Sequence, residues 1–121
     1  NRPELLGDYC CLHIGREPVE VFLAVYMDAR LRVIACEEVS RGTIDHVVVY
    51  PREIVKAALP LDATDVVIAH NHPSGSPLPS EQDVALTQRL RQALRLVDIR
   101  LRDHIVVGRA EATSLAAEGL M

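Results

Sequence analysis

The spacing of apolar residues changes several times along this chain, and each change marks a predicted element. Residues 3–14 place Leu5, Leu6, Tyr9 and Leu12 on one side at helical spacing, which predicts a helix ended by Gly15-Arg16-Glu17-Pro18. Val19 to Met27 is rich in β-favouring residues. Asp28-Ala29-Arg30 makes a short turn, and Leu31 to Glu38 gives the second arm of a hairpin. Beyond Arg41-Gly42-Thr43, Val47 to Tyr50 predicts another short strand. Pro51 suits the first position of a helix running to Leu59, and Pro60 ends it. Val66 to His70 is a near-continuous apolar run, the pattern of a strand covered on both faces. From Ser80 to about Leu96, apolar residues recur at Val84, Leu86, Leu90, Ala93, Leu94 and Val97, a helical spacing. Ile99 to Val107 predicts a last strand, Gly108 a stop, and 111–119 a short helix. The sum is an α/β or α+β fold: a mixed sheet flanked by helices, forming one domain over residues 1–121.

Composition narrows the class. At 121 residues with 49% hydrophobic positions, the chain can bury a real core, filled by Leu, Val, Ile and Ala because aromatics are only 3%. No apolar run approaches the roughly 18 residues of a membrane span, and the first residues do not resemble a signal peptide. Cys10, Cys11 and Cys36 lack metal-ligand spacing and are expected to be reduced, which points to the cytoplasm. A net charge of −4 argues against broad nucleic-acid binding. Arg89, Arg91, Arg95, Arg100 and Arg102 face only Asp98 in their stretch; they read either as a nucleic-acid contact or, preferably, as a solvated face.

The chemistry is concentrated in residues 70–83, which read H-x-H-x7-S-x-x-D. Side chains two apart on a strand share a face, so His70 and His72 can converge. A turn-forming Pro-, Gly- and Ser-rich segment follows, and Ser80 opens a helix with Asp83 in its first turn. Two imidazoles and one carboxylate make a three-ligand metal site with an open fourth position, which separates a catalytic zinc site from a closed structural one. Ser80 and Asp83 also match a capping box, and a cap and a ligand are compatible roles. Hydrolysis further needs a proton shuttle. Glu20 and Glu38, at the two ends of the predicted hairpin, are both candidates, and spacing does not choose between them. Ser80, one turn before Asp83, is placed to donate to a developing oxyanion. Asn71 points to the opposite face and is expected to bond to backbone. Asp103-His104 reads equally as a support for the site or as a buried structural pair. His13 and His46 have no suggestive spacing.

These residues resemble the JAMM signature of the JAB/MPN domain, a Glu followed by H-x-H-x7-S-x-x-D. More closely, the chain is similar to the C-terminal domain of the RadC family, historically labelled DNA-repair proteins. The likeness covers residues 3–121 and is carried by Glu20-Val21-Phe22-Leu23, Glu38-Val39-Ser40-Arg41-Gly42-Thr43, Pro51-Arg52-Glu53, Ala69 to Gly75, Pro79 to Asp83 and Asp103 to Gly108. It implies an MPN/JAB-like mixed sheet with cytidine-deaminase-like layering. It also implies His70, His72 and Asp83 as zinc ligands with water in the fourth position, Glu20 rather than Glu38 as general acid/base, and Ser80 as stabiliser of the tetrahedral intermediate. JAMM relatives cleave peptide or isopeptide bonds at the C-terminus of ubiquitin-like modifiers, so a peptide or protein substrate is implied. MPN relatives often pair through helices, which raises a homodimer. RadC members usually carry an N-terminal helix-hairpin-helix region; this chain starts at Asn1 without it, so it is expected to be a C-terminal fragment, with any DNA association residing in the missing region.

The leading expectation is therefore a zinc-dependent peptide or isopeptide hydrolase. The alternative is a non-catalytic interaction or DNA-associated module with a structural zinc site. Phosphodiester cleavage suits one metal and an acidic chain poorly. His70-Asn71-His72 spells HNH, yet nucleases of that name spread those residues over a ββα unit. The H-x-E and P-C-x-x-C elements of zinc deaminases are absent.

Overall fold

The computed structural model describes residues 9–10, 13–42 and 48–121. Its centre is a five-stranded sheet built from β1 (Val21–Met27), β2 (Val33–Arg41), β3 (Asp65–Asn71), β4 (Arg100–Val107) and β5 (Ala112–Ser114), in the order β2-β1-β3-β4-β5. β1 runs antiparallel to β2 and β3, β3 runs parallel to β4, and β5 is antiparallel to β4. Every residue of β1 and β3 is buried, which explains why β1 and the Val66–Ala69 stretch of β3 are apolar with no alternation. The edge strand β2 has no fully buried residue, and Val33 and Ile34 are exposed.

Two helices cover one face. α1 (Pro51–Ala58) has Pro51 at its start, Glu53 in the first turn and Lys56 in the last, each placed to suit the backbone dipole, and it buries Ile54 and Ala58. α2 (Glu81–Arg95) buries Thr87, Leu90 and Leu94 at spacings of three and four residues. Ile54, Ala58, Leu90 and Leu94 form one core with Phe22, Ala24, Tyr26, Val66 and Ile68. The opposite face of the sheet buries Val21, Leu23, Val25, Val67, Ala69, Ile105 and Val107 beneath Cys10 and Ile14, so the sheet has a core on each face. Tyr9, Cys10, His13 and Ile14 are helical, in line with the expected first helix; the rest of that helix lies outside the described residues.

Two expectations fail. Val48 to Tyr50 forms no strand: the Val48 carbonyl accepts the Ser40 hydroxyl, Val49 enters the core, and Tyr50 is the residue that caps α1. Local β propensity is overridden because these residues are used to enter a helix; Val47 lies outside the described residues. The predicted helix over 111–119 is instead strand β5 followed by turns, because the outer side of β4 offers an unpaired ladder that Ala112–Ser114 fills.

One local feature sets the register that matters. On β3, consecutive Val66 and Val67 face Leu101 and Asp103, so Arg102 is an extra residue in β4, a β-bulge. Side-chain alternation would otherwise put Leu101 and His104 on opposite faces. The bulge resets it, and His104 comes to lie on the helix-covered face near Phe22 and His70.

Asn71 ties the end of β3 to the chain entering β1. Its side-chain oxygen accepts the Val21 N–H at 2.6 Å, and its amide donates to the carbonyls of Val19 (2.9 Å) and Glu17 (3.3 Å). Asn71→Ala would strand these backbone groups in a buried place, so we expect a loss of about 2–4 kcal/mol in urea unfolding. A loss under about 1 kcal/mol would show that water or relaxation replaces the bridge.

Candidate metal centre

Strand register brings the first three site residues together. Phe22 pairs with His70 across the antiparallel β1·β3 ladder, so the chain just ahead of β1 runs beside the residues that follow His70. Glu20 therefore reaches His72 as well as His70. Donor atoms of Glu20, His70 and His72 all lie within 4.8 Å of one another, a group that could hold a metal ion. His72 sits one residue past β3, yet its N–H still bonds the Val107 carbonyl at 2.9 Å, which keeps it on the parallel ladder's line. α2 supplies the fourth residue. Ser80 Oγ accepts the Asp83 N–H at 3.0 Å and the Ser80 N–H donates to Asp83 Oδ2 at 2.8 Å, a complete capping box.

His70 Nε2, His72 Nε2 and the Asp83 carboxylate then meet. The two nitrogens are 3.1 Å apart; His70 Nε2 is 3.1 Å from Asp83 Oδ1 and His72 Nε2 is 3.1 Å from Asp83 Oδ2. Ligand bonds of about 2.0–2.2 Å in a tetrahedron put neighbouring ligand atoms about 3.3 Å apart, so imidazole nitrogen and carboxylate oxygen at this separation suit zinc in both donor type and size. His72 Nδ1 lies 3.1 Å from the Ser76 carbonyl, which can only accept. The proton of a neutral His72 therefore sits on Nδ1 and its Nε2 lone pair faces the site. The loop that provides this carbonyl is packed closely: a side chain at Gly108 would meet the Gly75 carbonyl oxygen at 2.6 Å, and Gly75 itself has φ +93°. Glycine is needed at both places.

Behind His70 stands His104. His70 Nδ1 is 2.8 Å from His104 Nε2, and His104 Nδ1 is 2.6 Å from the Thr87 hydroxyl. Phe22 stacks on His70 with ring centroids 5.7 Å apart. Burial penalises the charged Asp83 carboxylate, yet its interactions with the His70 and His72 imidazoles outweigh that penalty and hold its pKa well below the usual range. The same hydrogen bond to Asp83 raises His72 despite partial burial. In front of these groups a cleft of about 680 Å³ opens, lined among others by Val48, Val49, Leu86, Ser80 and Arg89.

Glu38 lies elsewhere. It pairs with Leu23, whose side chain enters the opposite core, and its carboxylate is held by Arg41 at 2.7 Å. The Asp103-His104 pair divides: His104 supports His70, while Asp103 binds the backbone of Ala116 and the Ser114 hydroxyl. Of the arginines, Arg91, Arg95, Arg100 and Arg102 line a second cleft of about 580 Å³ with Asp98, and Arg102 is ion-paired to Asp65 at 2.7 Å. His13 stacks on Tyr9, and His46 lies outside the described residues. Thr87 went unnoticed in the sequence. Its only signal there is its place one helical turn after Asp83, on the same face.

The chain has relatives among known proteins. The profile of the family described as "RadC-like JAB domain" matches residues 1–120. A UPF0758 protein of Bordetella avium is 50% identical over 119 residues, covering 98% of this chain and 53% of that protein. A UPF0758 protein of Janthinobacterium sp. (strain Marseille) gives the same 50%, 98% and 53%. One from Rhodobacter capsulatus is 46% identical, covering 98% of this chain and 55% of its own. The chain thus spans about half the length of the curated relatives it matches, and their names state no reaction. Among the described residues no helix is long and apolar enough to cross a membrane.

The histidines give the metal-free protein a defined pH response. Burial, helped by His70, pushes His104 down to about 3 from its ordinary 6.5. Below about pH 6.5 the unfolded chain takes up a proton there that the folded chain refuses, so stability falls as pH drops towards 3. His72, raised, does the reverse: its contribution is complete below about pH 6.5 and is lost as pH climbs through its folded value. Urea midpoints measured in chelator should therefore peak near pH 6.5, and His104→Asn should flatten the acid limb. A midpoint that keeps rising below pH 6 would contradict this assignment.

Proposed function

This chain belongs to the RadC-like JAB domain family, and on that premise we propose that it is a zinc-dependent hydrolase of JAMM type acting on a peptide or isopeptide bond. The observation that carries the reading is the triangle of His70, His72 and Asp83, with sides of 3.1 Å, open to a cleft beside Glu20. When bound by these three residues, zinc supplies Lewis acidity, polarising a carbonyl and making water a nucleophile near neutral pH. Glu20 takes the proton of the attacking water and returns it to the departing amine. The Ser80 hydroxyl accepts the Asp83 N–H, so its own proton is left to give to the carbonyl oxygen as charge builds there. Val48, Val49 and Leu86 offer an apolar wall along which an extended peptide can lie while water is excluded.

The partner in this reading is a peptide or protein chain, and a homodimer through the helices is the assembly carried over from MPN relatives. Cys10 and Cys36 are thiols, which supports a reducing compartment such as the cytoplasm. Any DNA association is assigned to a region outside this chain. A zinc ion that only secured the fold would have no use for a neighbouring general base or an open cleft, which is why hydrolysis is preferred over a structural zinc module.

Zinc stoichiometry and turnover on a panel of peptide and isopeptide-linked substrates test this together. Replacing His70, His72 or Asp83 by Ala should abolish zinc binding. Glu20→Gln should retain zinc and lower kcat by about 100-fold or more, and Ser80→Ala should lower it by about 100-fold at unchanged zinc content. Full activity of Glu20→Gln removes Glu20 from its role. Wild-type protein that holds zinc, cleaves nothing and unfolds on chelation supports the structural module instead.

A further inference from the structure

We propose that Thr87 is a positioning residue which, acting through His104, fixes the tautomer of His70 so that its Nε2 presents a lone pair to the site. The inference rests on the zinc reading only for its consequence; the proton order itself follows from distances. Thr87 Oγ1 lies 2.7 Å from the Asp83 carbonyl oxygen and 2.6 Å from His104 Nδ1. A hydroxyl has one proton and a carbonyl has none. The hydroxyl proton must go to the Asp83 carbonyl, so the second contact needs its proton from His104 Nδ1. His104 is fully buried and its two ring nitrogens meet only a hydroxyl and another imidazole, an environment that keeps it neutral with one ring proton. Its Nε2 is then an acceptor.

The next link follows. His70 Nδ1, 2.8 Å from that acceptor, must be the donor, which leaves His70 Nε2 bare. That is the atom 3.1 Å from both Asp83 Oδ1 and His72 Nε2. The reverse order would put a proton on His70 Nε2 and leave Thr87 Oγ1 against the Asp83 carbonyl, oxygen to oxygen at 2.7 Å, with no proton between them. Asp83 is thereby held at both ends, its main chain closing the proton chain that prepares the histidine its side chain meets. Among the described residues, the Arg102 bulge is what allows this chain to exist, since it turns His104 to the face of α2.

Two measurements decide the matter. Long-range 1H–15N correlation spectra of metal-free wild-type protein should show Nδ1–H on both His104 and His70, and finding the proton on His104 Nε2 overturns the proposal whether or not zinc binds. In competition with a chromophoric chelator, Thr87→Val should bind zinc about 10–100-fold more weakly, while Thr87→Ser, which keeps the hydroxyl, stays within about 3-fold of wild type. Thr87→Val that binds zinc like wild type, with His104 still protonated at Nδ1, also overturns it. If wild-type protein binds no zinc but shows the Nδ1–H pair, the zinc reading fails and the relay stands.

Discussion

Two imidazole nitrogens and a carboxylate are held 3.1 Å apart at the mouth of a cleft, and each is electron-rich on the side facing the others. Such groups repel unless a cation lies among them. In metal-free protein the Asp83 carboxylate beside His72 favours the protonated imidazole, which raises its pKa. A divalent ion would supply positive charge more completely and would compete with that proton. The demand for positive charge at this point links the acid–base behaviour of the site to the chemistry proposed for it.

The demand is met by rigid elements rather than by loops alone. His70 lies in a strand with every residue buried, and Glu20 is delivered by the antiparallel register next to it. Asp83 performs two tasks with one side chain, since Oδ2 closes the capping box of α2 and also faces His72. Fold and site therefore share residues, and substitution of Asp83 should be felt in both. His72, beyond the strand end, depends on the Ser76 carbonyl in a loop whose approach requires the bare Gly108.

Much of this was legible in the sequence because it is local. The apolar runs of β1 and β3, the Pro51 start of α1 and the Ser80–Asp83 cap are written in neighbouring residues, and they stand where spacing put them. What could not be read depends on pairing across distance. Glu20 and Glu38 are equivalent in spacing, and only strand pairing puts Glu38 on the far face with Arg41. The bulge at Arg102 breaks the two-residue rhythm, so His104 could not be assigned a face or separated from Asp103. Val48 to Tyr50 and 112–114 differ from their expected elements because propensity reveals neither that the first stretch leads into a helix nor that β4 has a free edge for the second. Thr87 stayed silent because its role exists only when α2 packs on β4.

The most direct test is anomalous scattering from a crystal of the zinc-loaded protein, recorded on both sides of the zinc absorption edge. The account predicts a single strong peak bounded by His70 Nε2, His72 Nε2 and the Asp83 carboxylate, with a solvent molecule completing the coordination on the Glu20 side. A peak elsewhere, or none at this triangle in protein exposed to zinc, would contradict it.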